Sequence, residues 1–594
     1  MDDTADFLAR YYEELTYLRS SGQVFARQHP KLAERLELDR EGSADPHVER
    51  LLESFALLTS RLQRRFDGEF PEFTSALLTL LYPNLSNPVP PMTIAQIMPD
   101  GARAAQLLEG YRIPAHTQMF AQTSDGLTCR FRSEYPVDLW PLKVTNAGFA
   151  AKTAFDFLDN DTQTLSVLRL RVAPMDAKVA LPDIKVKQLR FHLNGPQHVT
   201  AQLYELLFEN CRGVVLYCPA TEKHVSLPVS ALTRAGFGEH EGVIPDAPES
   251  HPAYRLLQEY FWLPEKFLFF DLAGLERNPS RKEIEILFLL DAPPRPRLLV
   301  TAETFALGCT PVVNLFPRTS EPIRLDETRT EYRVIPDARR ERTTEVHSIL
   351  SVSSSSNPAE KARELRPLYG AVGTTTSQDA FWHSRRIATE RLDSSGTDVH
   401  LSFVDLAFNP SQPPSLVVFA HLLCTNRELA MQVSEGTLLQ TEEPAPIQII
   451  RCLRKPTAPG YPPLGGASRW ALISSLRLNY LSLTEGKASL SALRRILELY
   501  SFSNSSSVTQ QMEGLTDVSV RKVMRRMSHD IHDAGLPREA VWQSFRRGYE
   551  VKLQLNRNAY PGGSPLLFTS VLREFLQLYA PINSFVELKT STFA

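Results

Sequence analysis

The residues closest to metal chemistry in this chain are His529-Asp530-Ile531-His532-Asp533. On a helix, imidazoles three residues apart share a face, and here carboxylates stand beside them. A structural zinc site takes four ligands, however, and neither a cysteine nor a third histidine lies nearby in sequence. No metal site is expected. The paired carboxylates Glu13-Glu14 and Glu442-Glu443 carry as little weight, because general acid-base catalysis needs two acids facing each other across a cleft, which adjacency does not provide. Phosphate-cradling glycine patterns are missing: no Gly-x-x-x-x-Gly-Lys-Ser/Thr and no Gly-x-Gly-x-x-Gly opens a helix. The serine-hydrolase string Gly-x-Ser-x-Gly is absent too. Gly465-Gly466-Ala467 and Gly562-Gly563-Ser564 lie beside prolines and read as turns. No catalytic residue, cofactor site or metal ligand is nominated, and the chain does not read as an enzyme.

The elements that would position any site fall into three stretches: a helical N-terminal segment (1–90), a β-rich middle (91–350) and an α+β C-terminal region (351–594). In the first, Phe7, Leu8, Tyr11, Tyr12, Leu15, Leu18 and Phe25 recur at spacings of three and four, one apolar stripe of a helix. For this stripe and for those of the helices that follow, the readings are an ordinary core or an exposed seam for a partner helix. A second helix starts at Asp45-Pro46 and carries Val48, Leu51, Leu52, Phe55, Leu58, Leu62 and Phe66. Within it, Glu49 and Arg50 are a charged pair in an apolar sequence, placed to orient helices or to touch a neighbouring subunit. A third helix is expected from Pro71 to just before Pro83. Pro83, Pro88, Pro90 and Pro91 predict a stiff extended connector.

Beyond it, alternating runs such as 165–172 predict strands, with short helices at 203–208 and 254–261 and strands at 189–193 and 267–272. The run Ser351-Val352-Ser353-Ser354-Ser355-Ser356-Asn357-Pro358 predicts a mobile loop or domain border. Strands follow at 399–404 and 416–419, then irregular chain at 455–467. The last stretch should hold a helix presenting Leu490, Leu493, Ile496, Leu497 and Tyr500, a strand through Tyr549 to Leu555, a helix from Leu567 to Tyr579 and a strand from Ser584.

Composition excludes some function classes. Lys and Arg number 65 against 68 Asp and Glu, a net charge of -3, so no global field draws the chain to nucleic acid or an anionic membrane. Arg339-Arg340-Glu341-Arg342 is interrupted by an acid and reads as mixed surface; Arg521 to His532, basic and apolar by turns, reads as a solvated edge or partner contact. Of the 65 cations, 15 are Lys and 50 Arg. Arginine-rich interfaces and a genome rich in G and C explain that bias equally well. The N-terminus is acidic, without the basic and apolar regions of an export signal. Ile284–Leu290 and similar runs fall short of the roughly 20 residues of a membrane helix. A cytoplasmic chain with no direct membrane insertion is expected. Its six cysteines form no Cys-x-x-Cys pair and read as reduced, buried thiols.

Five strings spread along the whole chain carry a resemblance: Tyr11-Tyr12-Glu13-Glu14-Leu15, Pro46-His47-Val48-Glu49-Arg50-Leu51-Leu52, Leu307 to Pro317 (LGCTPVVNLFP), Leu476 to Leu483 (LRLNYLSL) and Arg547-Gly548-Tyr549-Glu550. Together they resemble the TssF family, a baseplate subunit of bacterial type VI secretion systems related to the wedge proteins of contractile phage baseplates. The resemblance implies a non-enzymatic scaffold with a phage-wedge-like C-terminal region. It implies a wedge formed with a second copy of the chain and with TssG, linked through TssK to the membrane complex. TssE and the central spike would be further baseplate neighbours. Segment 518–536 is more basic and histidine-rich than the resemblance implies. Partner contacts are expected at Tyr11, Leu15, Leu18, Glu49 and Arg50. The competing reading is a cytoplasmic enzyme or carbohydrate-binding protein with an unrecognised site, which a central cleft holding convergent acids or histidines would favour.

Overall fold

In the computed structural model, residues 46–462 and 488–593 are described, apart from 124, 246–249, 296–297, 326–328, 356–361, 369–379, 392–394, 406–416, 502–505, 529–542 and 581–583. Residue 464 is described as well, and before residue 46 only Tyr11, Tyr12, Leu15, Leu18 and the pairs 38–39 and 42–43. The candidate metal residues His529–Asp533 and the string 476–483 lie outside the described residues. The chain forms two packed units, Met1–Thr79 with Pro463–Ser474, and Leu80–Pro462 with Ser475–Ala594.

One helix, Pro46–Leu81, replaces the two expected on either side of Pro71. A proline in a helix interior removes one hydrogen bond and disfavours helix in the residue before it. The apolar series nevertheless continues across it in unbroken phase: Leu51, Phe55, Leu58, Leu62, Phe66, Phe70, Phe73, Leu77 and Leu81 are spaced by three or four throughout. The connector at Pro83 is also not extended from its start. Pro83–Ser86 forms one helical turn, with proline at the position where a missing amide costs nothing, and Leu85 is buried.

The rest is built on long-range strand pairing. Six strands close a barrel in the order Cys309–Val313, Met92–Pro99, Ile447–Cys452, Leu438–Thr441, Gln118–Gln122, Thr128–Ser133. Inward residues such as Ile97, Met119, Phe131, Val312 and Ile450 fill it. A five-stranded sheet around Cys211–Cys218 and Ile284–Leu290, and a four-stranded sheet around Phe269–Ala273 and Gln188–Leu193, are antiparallel throughout. The helices Gln197–Phe208 and Pro252–Trp262 contain the expected 203–208 and 254–261.

Ser351–Ser355 of the serine run are strand and not loop, and residues 356–358 lie outside the described residues. Glu345–Ser355 pairs with Val417–Thr425 and with Arg363–Pro367 in an eight-stranded sheet. Val352 is fully buried and Ser354 nearly so, the serine donating its hydroxyl to the Arg363 carbonyl. Small polar side chains fit a strand whose alternate positions pack. The border expected at 350 falls inside this strand, and two barrel strands come from beyond it.

The C-terminal part is the α+β element the periodicities predict. Leu515–Ser528 and Gln543–Asn556 form a long antiparallel hairpin, and Ser584–Phe593 joins parallel to the second strand. Parallel neighbours need a crossover connection, and the Pro565–Tyr579 helix supplies it. Ser564 caps that helix by accepting from the Leu567 amide at 3.2 Å, and Pro565 occupies its first turn. Leu567, Phe568, Val571, Leu572, Phe575 and Leu576 are buried. Helix Pro565–Tyr579 packs on Pro252–Trp262, where the Tyr254 ring lies 5.7 Å from Phe575 and stacks on Tyr500 at 4.7 Å.

Candidate assembly interface

The surface that stands out is on the Pro46–Leu81 helix. Leu51, Phe55 and Leu58 are 66%, 59% and 57% exposed, while Ala56 between them is fully buried. Spacings of four and three put the three large side chains on one face, away from the face that Ala56 packs. Clustered exposed apolar side chains of this size mark an interaction surface. Arg50 borders the stripe and is exposed, its carbonyl accepting the Ser54 hydroxyl at 2.7 Å. Glu49 is in the same helical turn, and its side chain is not among those described. Of the other expected contact residues, Leu15 is buried, whereas Tyr11 and Leu18 are half-buried. The Tyr11 ring stands edge-on to Tyr12 at 5.4 Å.

Of the two readings of that stripe, an ordinary core or an exposed seam for a partner helix, the exposure of Leu51, Phe55 and Leu58 fits the seam. A signal of exposure was present in the doublets Leu51-Leu52, Leu57-Leu58 and Leu77-Leu78, which make the helix apolar over more of its circumference than one buried face requires.

The other strings of the resemblance sit at joints. Leu307 to Pro317 carries the chain out of the four-stranded sheet, through the barrel strand Cys309–Val313, and into the eight-stranded sheet at Phe316–Thr319. Gly308 opens this passage at φ +67°, and a Cβ there would stand 2.4 Å from the Ile97 carbonyl oxygen. Asn314, fully buried, ties the elements together: its Nδ2 donates to the Arg130 carbonyl at 2.5 Å and to Asn426 Oδ1 at 2.9 Å, and its Oδ1 accepts the Asn426 amide at 2.6 Å. Cys309 is 5% exposed, and burial pushes its thiol well above the usual range. A thiol reagent is therefore expected to label Cys309 in the native protein far more slowly than an exposed thiol. Labelling within seconds would contradict this.

In Arg547–Glu550, the glycine and the acid each have a packing reason. A Cβ on Gly548 would lie 2.5 Å from the Phe585 ring of the neighbouring strand. Phe585 therefore packs on Gly548 within the sheet, and its neighbours in the strand, Val586 and the residue two further on, Leu588, are buried. Glu550 is nearly inaccessible and gathers Lys589 Nζ at 2.7 Å and Arg521 at 3.2 Å, the lysine holding its carboxyl below the usual range. Gly548→Ala should force the Phe585 ring aside at a cost of about 1–3 kcal/mol, read as a lower denaturation midpoint that Phe585→Leu partly restores. An unchanged midpoint for Gly548→Ala would refute this packing account.

No arrangement suited to catalysis emerges among the described residues. Glu259, inside the helix Pro252–Trp262, is fully buried, accepts the Val243 and Ile244 amides at 2.6 and 2.9 Å on Oε1, and is bridged by Lys266 on Oε2. Arg190 grips Asp271 with two 2.7 Å bonds and Glu241 at 2.8 Å. These acids are consumed by cations that fix loops to sheets. Glu442 and Glu443 are exposed, and Glu341 of the basic run pairs with Arg333 at 2.6 Å and Arg391 at 3.1 Å. No group of three His, Cys, Asp or Glu among the described residues could hold a metal ion. No described helix is long and apolar enough to cross a membrane.

The family model described as "Type VI secretion system, TssF" matches residues 1–594. This chain belongs to the TssF family. The type VI secretion system component TssF1 of Pseudomonas aeruginosa is 34% identical to it over 606 residues, covering 98% of this chain and 95% of that protein. Two solved structures share the fold. A chain of the type VI secretion system TssK-TssF-TssG baseplate subcomplex aligns with a TM-score of 0.70 at 23% identity, covering 92% of this chain and 96% of the other. A chain of the baseplate complex from the type VI secretion system aligns with a TM-score of 0.58 at 20% identity, covering 98% and 96%.

Two buried histidines give this TssF family member a pH signature. His192 and His347 are essentially inaccessible, and each imidazole is pushed down to about 3, first by burial and then by a nearby cation, Arg454 and Arg386 respectively. The unfolded chain therefore binds more protons than the fold between about pH 6.5 and 3. Their stabilising contribution is complete above the unfolded value and is lost as pH falls through that window. His347→Gln should flatten the decline of the urea midpoint between pH 6.5 and 4.5; an unchanged slope would show that His347 is not buried neutral.

Proposed function

We propose that this chain is a structural, non-enzymatic subunit of a type VI secretion baseplate, working in the cytoplasm. In this reading it forms a wedge with TssG and a second copy of itself, TssK links that wedge to the membrane complex, and TssE and the central spike are further neighbours. The observation that carries the reading is the full-length match to the TssF family, joined to a fold shared with a chain of the TssK-TssF-TssG subcomplex over 92% of this chain. The structure supports a scaffold in a second way. Among the described residues the buried acids Glu259, Asp271 and Glu285 are paired with cations, and a conspicuous exposed feature is an apolar helix face.

The contact element in this proposal is the N-terminal helical segment. Leu51, Phe55 and Leu58 meet an apolar face of TssG, with Glu49, Arg50, Tyr11 and Leu18 at the margin and Leu15 holding its own helix in place. A desolvated centre of large apolar side chains with arginine at the rim is the usual anatomy of such contacts. The test is deletion of the gene in its own bacterium with a fluorescent sheath protein as readout. Contractile sheaths should fail to assemble, and return with the intact chain. Normal sheath assembly in the deletion strain would overturn the proposal.

A further inference from the structure

A cavity of about 410 Å³ opens where the barrel strand Met92–Pro99, the strand Leu142–Ala150 and the strand Phe305–Leu307 come together. Its size falls in the range of sites that hold ligands, roughly 300–1,000 Å³. We propose that it receives an acidic, aliphatic segment of a partner protein, whose carboxylate binds Arg451 and whose apolar side chain packs against Trp140. The choice of a protein segment rests on the scaffold reading above.

The electrostatic reason is a cation without a counter-charge. Arg451 lines the cavity and is half-buried. Its Nε and Nη2 donate to Gln96 Oε1 at 3.1 and 2.9 Å, and Gln96 in turn donates its Nε2 to the Leu307 carbonyl at 3.1 Å. The guanidinium is thus oriented by a neutral acceptor, and two of its five N–H groups are used. Among the described residues no carboxylate lies within 4.0 Å of it. The neighbouring arginines differ: Arg190 has Asp271 and Glu241, and Arg112 has Asp138 at 3.9 Å, while Lys143, the other cation of the lining, is exposed to water. A partly desolvated guanidinium with donors to spare is best satisfied by a carboxylate, which accepts two of them at once.

The apolar reason lies in the walls. Leu139, Trp140, Leu142, Leu189 and Leu307 line the same space. Trp140 is held there because its indole lies against Gly110, where a Cβ would stand 2.9 Å from the ring. The cavity therefore offers one anion-binding corner and an aliphatic-aromatic wall, complementary to a glutamate or aspartate beside leucine-like residues. Asp138 and Asp271 are both engaged by arginines, and the remaining carboxylate of the lining, Glu303, is exposed.

The test uses the full chain alone and reads Trp140 emission, with Trp140→Phe identifying the signal. N-acetyl-Leu-Glu-Leu-amide should bind roughly tenfold more tightly than its Gln analogue, as expected for one charge-assisted contact. Arg451→Gln should remove that preference and Arg451→Lys retain part of it, both with unchanged circular dichroism. Equal binding of the two peptides, no binding of either, or an Arg451→Gln variant that still prefers Glu would overturn the proposal. Glutarate binding as tightly as the tripeptide would overturn the protein-segment assignment and make this a small-carboxylate site. Because no baseplate partner is involved, failure here leaves the assembly proposal standing.

Discussion

Leu51→Asp combined with Phe55→Asp should abolish co-purification with TssG while leaving the chain folded. Both side chains are more than half exposed, so the change removes little packing within the chain, and surface substitutions usually alter stability by less than about 0.5 kcal/mol. In a complex the same positions would place two carboxylates in a desolvated apolar contact. Large central residues of interfaces typically cost about 2 kcal/mol or more each on truncation alone, so the pair should weaken binding by roughly a thousandfold. Leu15→Asp is the contrasting arm. Leu15 is buried, so its replacement should lower the denaturation midpoint before it affects any partner. Retention of TssG by the folded Leu51/Phe55 double variant would remove this stripe from the interface.

Deleting residues 566–594 should leave an insoluble chain. The deletion takes away nearly all of the Pro565–Tyr579 helix and the whole Ser584–Phe593 strand, which are the crossover and the outer strand of one βαβ unit. Leu567, Phe568, Val571, Leu572, Phe575 and Leu576 each contribute about 1.5–3 kcal/mol by burial, a sum of roughly 10 kcal/mol or more, comparable with the total stability of a typical domain. The loss also uncovers Tyr254, which packs against Phe575 and Tyr579, and Val551 and Leu553, whose strand loses its parallel neighbour. Soluble truncated protein with an unchanged unfolding midpoint would show that this unit is not part of the cooperative fold.

These two regions also show what a single sequence reveals. The C-terminal unit was legible because its determinants are local: a 3.6-residue stripe from Leu567 to Tyr579 and an alternating run from Tyr549 to Leu555. The barrel was not. Its strand Met92–Pro99 pairs with Ile447–Cys452 and with Cys309–Val313 across hundreds of residues, and no local pattern announces such partners. Ser351–Ser355 misled for a related reason. Low complexity suggested a loop, while the neighbours Val417–Thr425 and Arg363–Pro367 made a strand of it. The continuous helix across Pro71 shows that an unbroken apolar phase can outweigh a proline. At the surface, the stripe of Leu51, Phe55 and Leu58 was legible as apolar; its exposure was not, since periodicity cannot say which of two apolar faces is covered. The place of Gly548 under Phe585 depends on a parallel strand pairing that only the fold reveals.

The most direct test of the scaffold account is co-expression of this chain with TssG and TssK from the same secretion system, followed by native mass measurement of the purified assembly. The account predicts one stable particle containing two copies of this chain together with TssG, and a larger one when TssK is present. A chain that purifies alone at the mass of a single copy, with TssG and TssK both expressed and soluble, would contradict it.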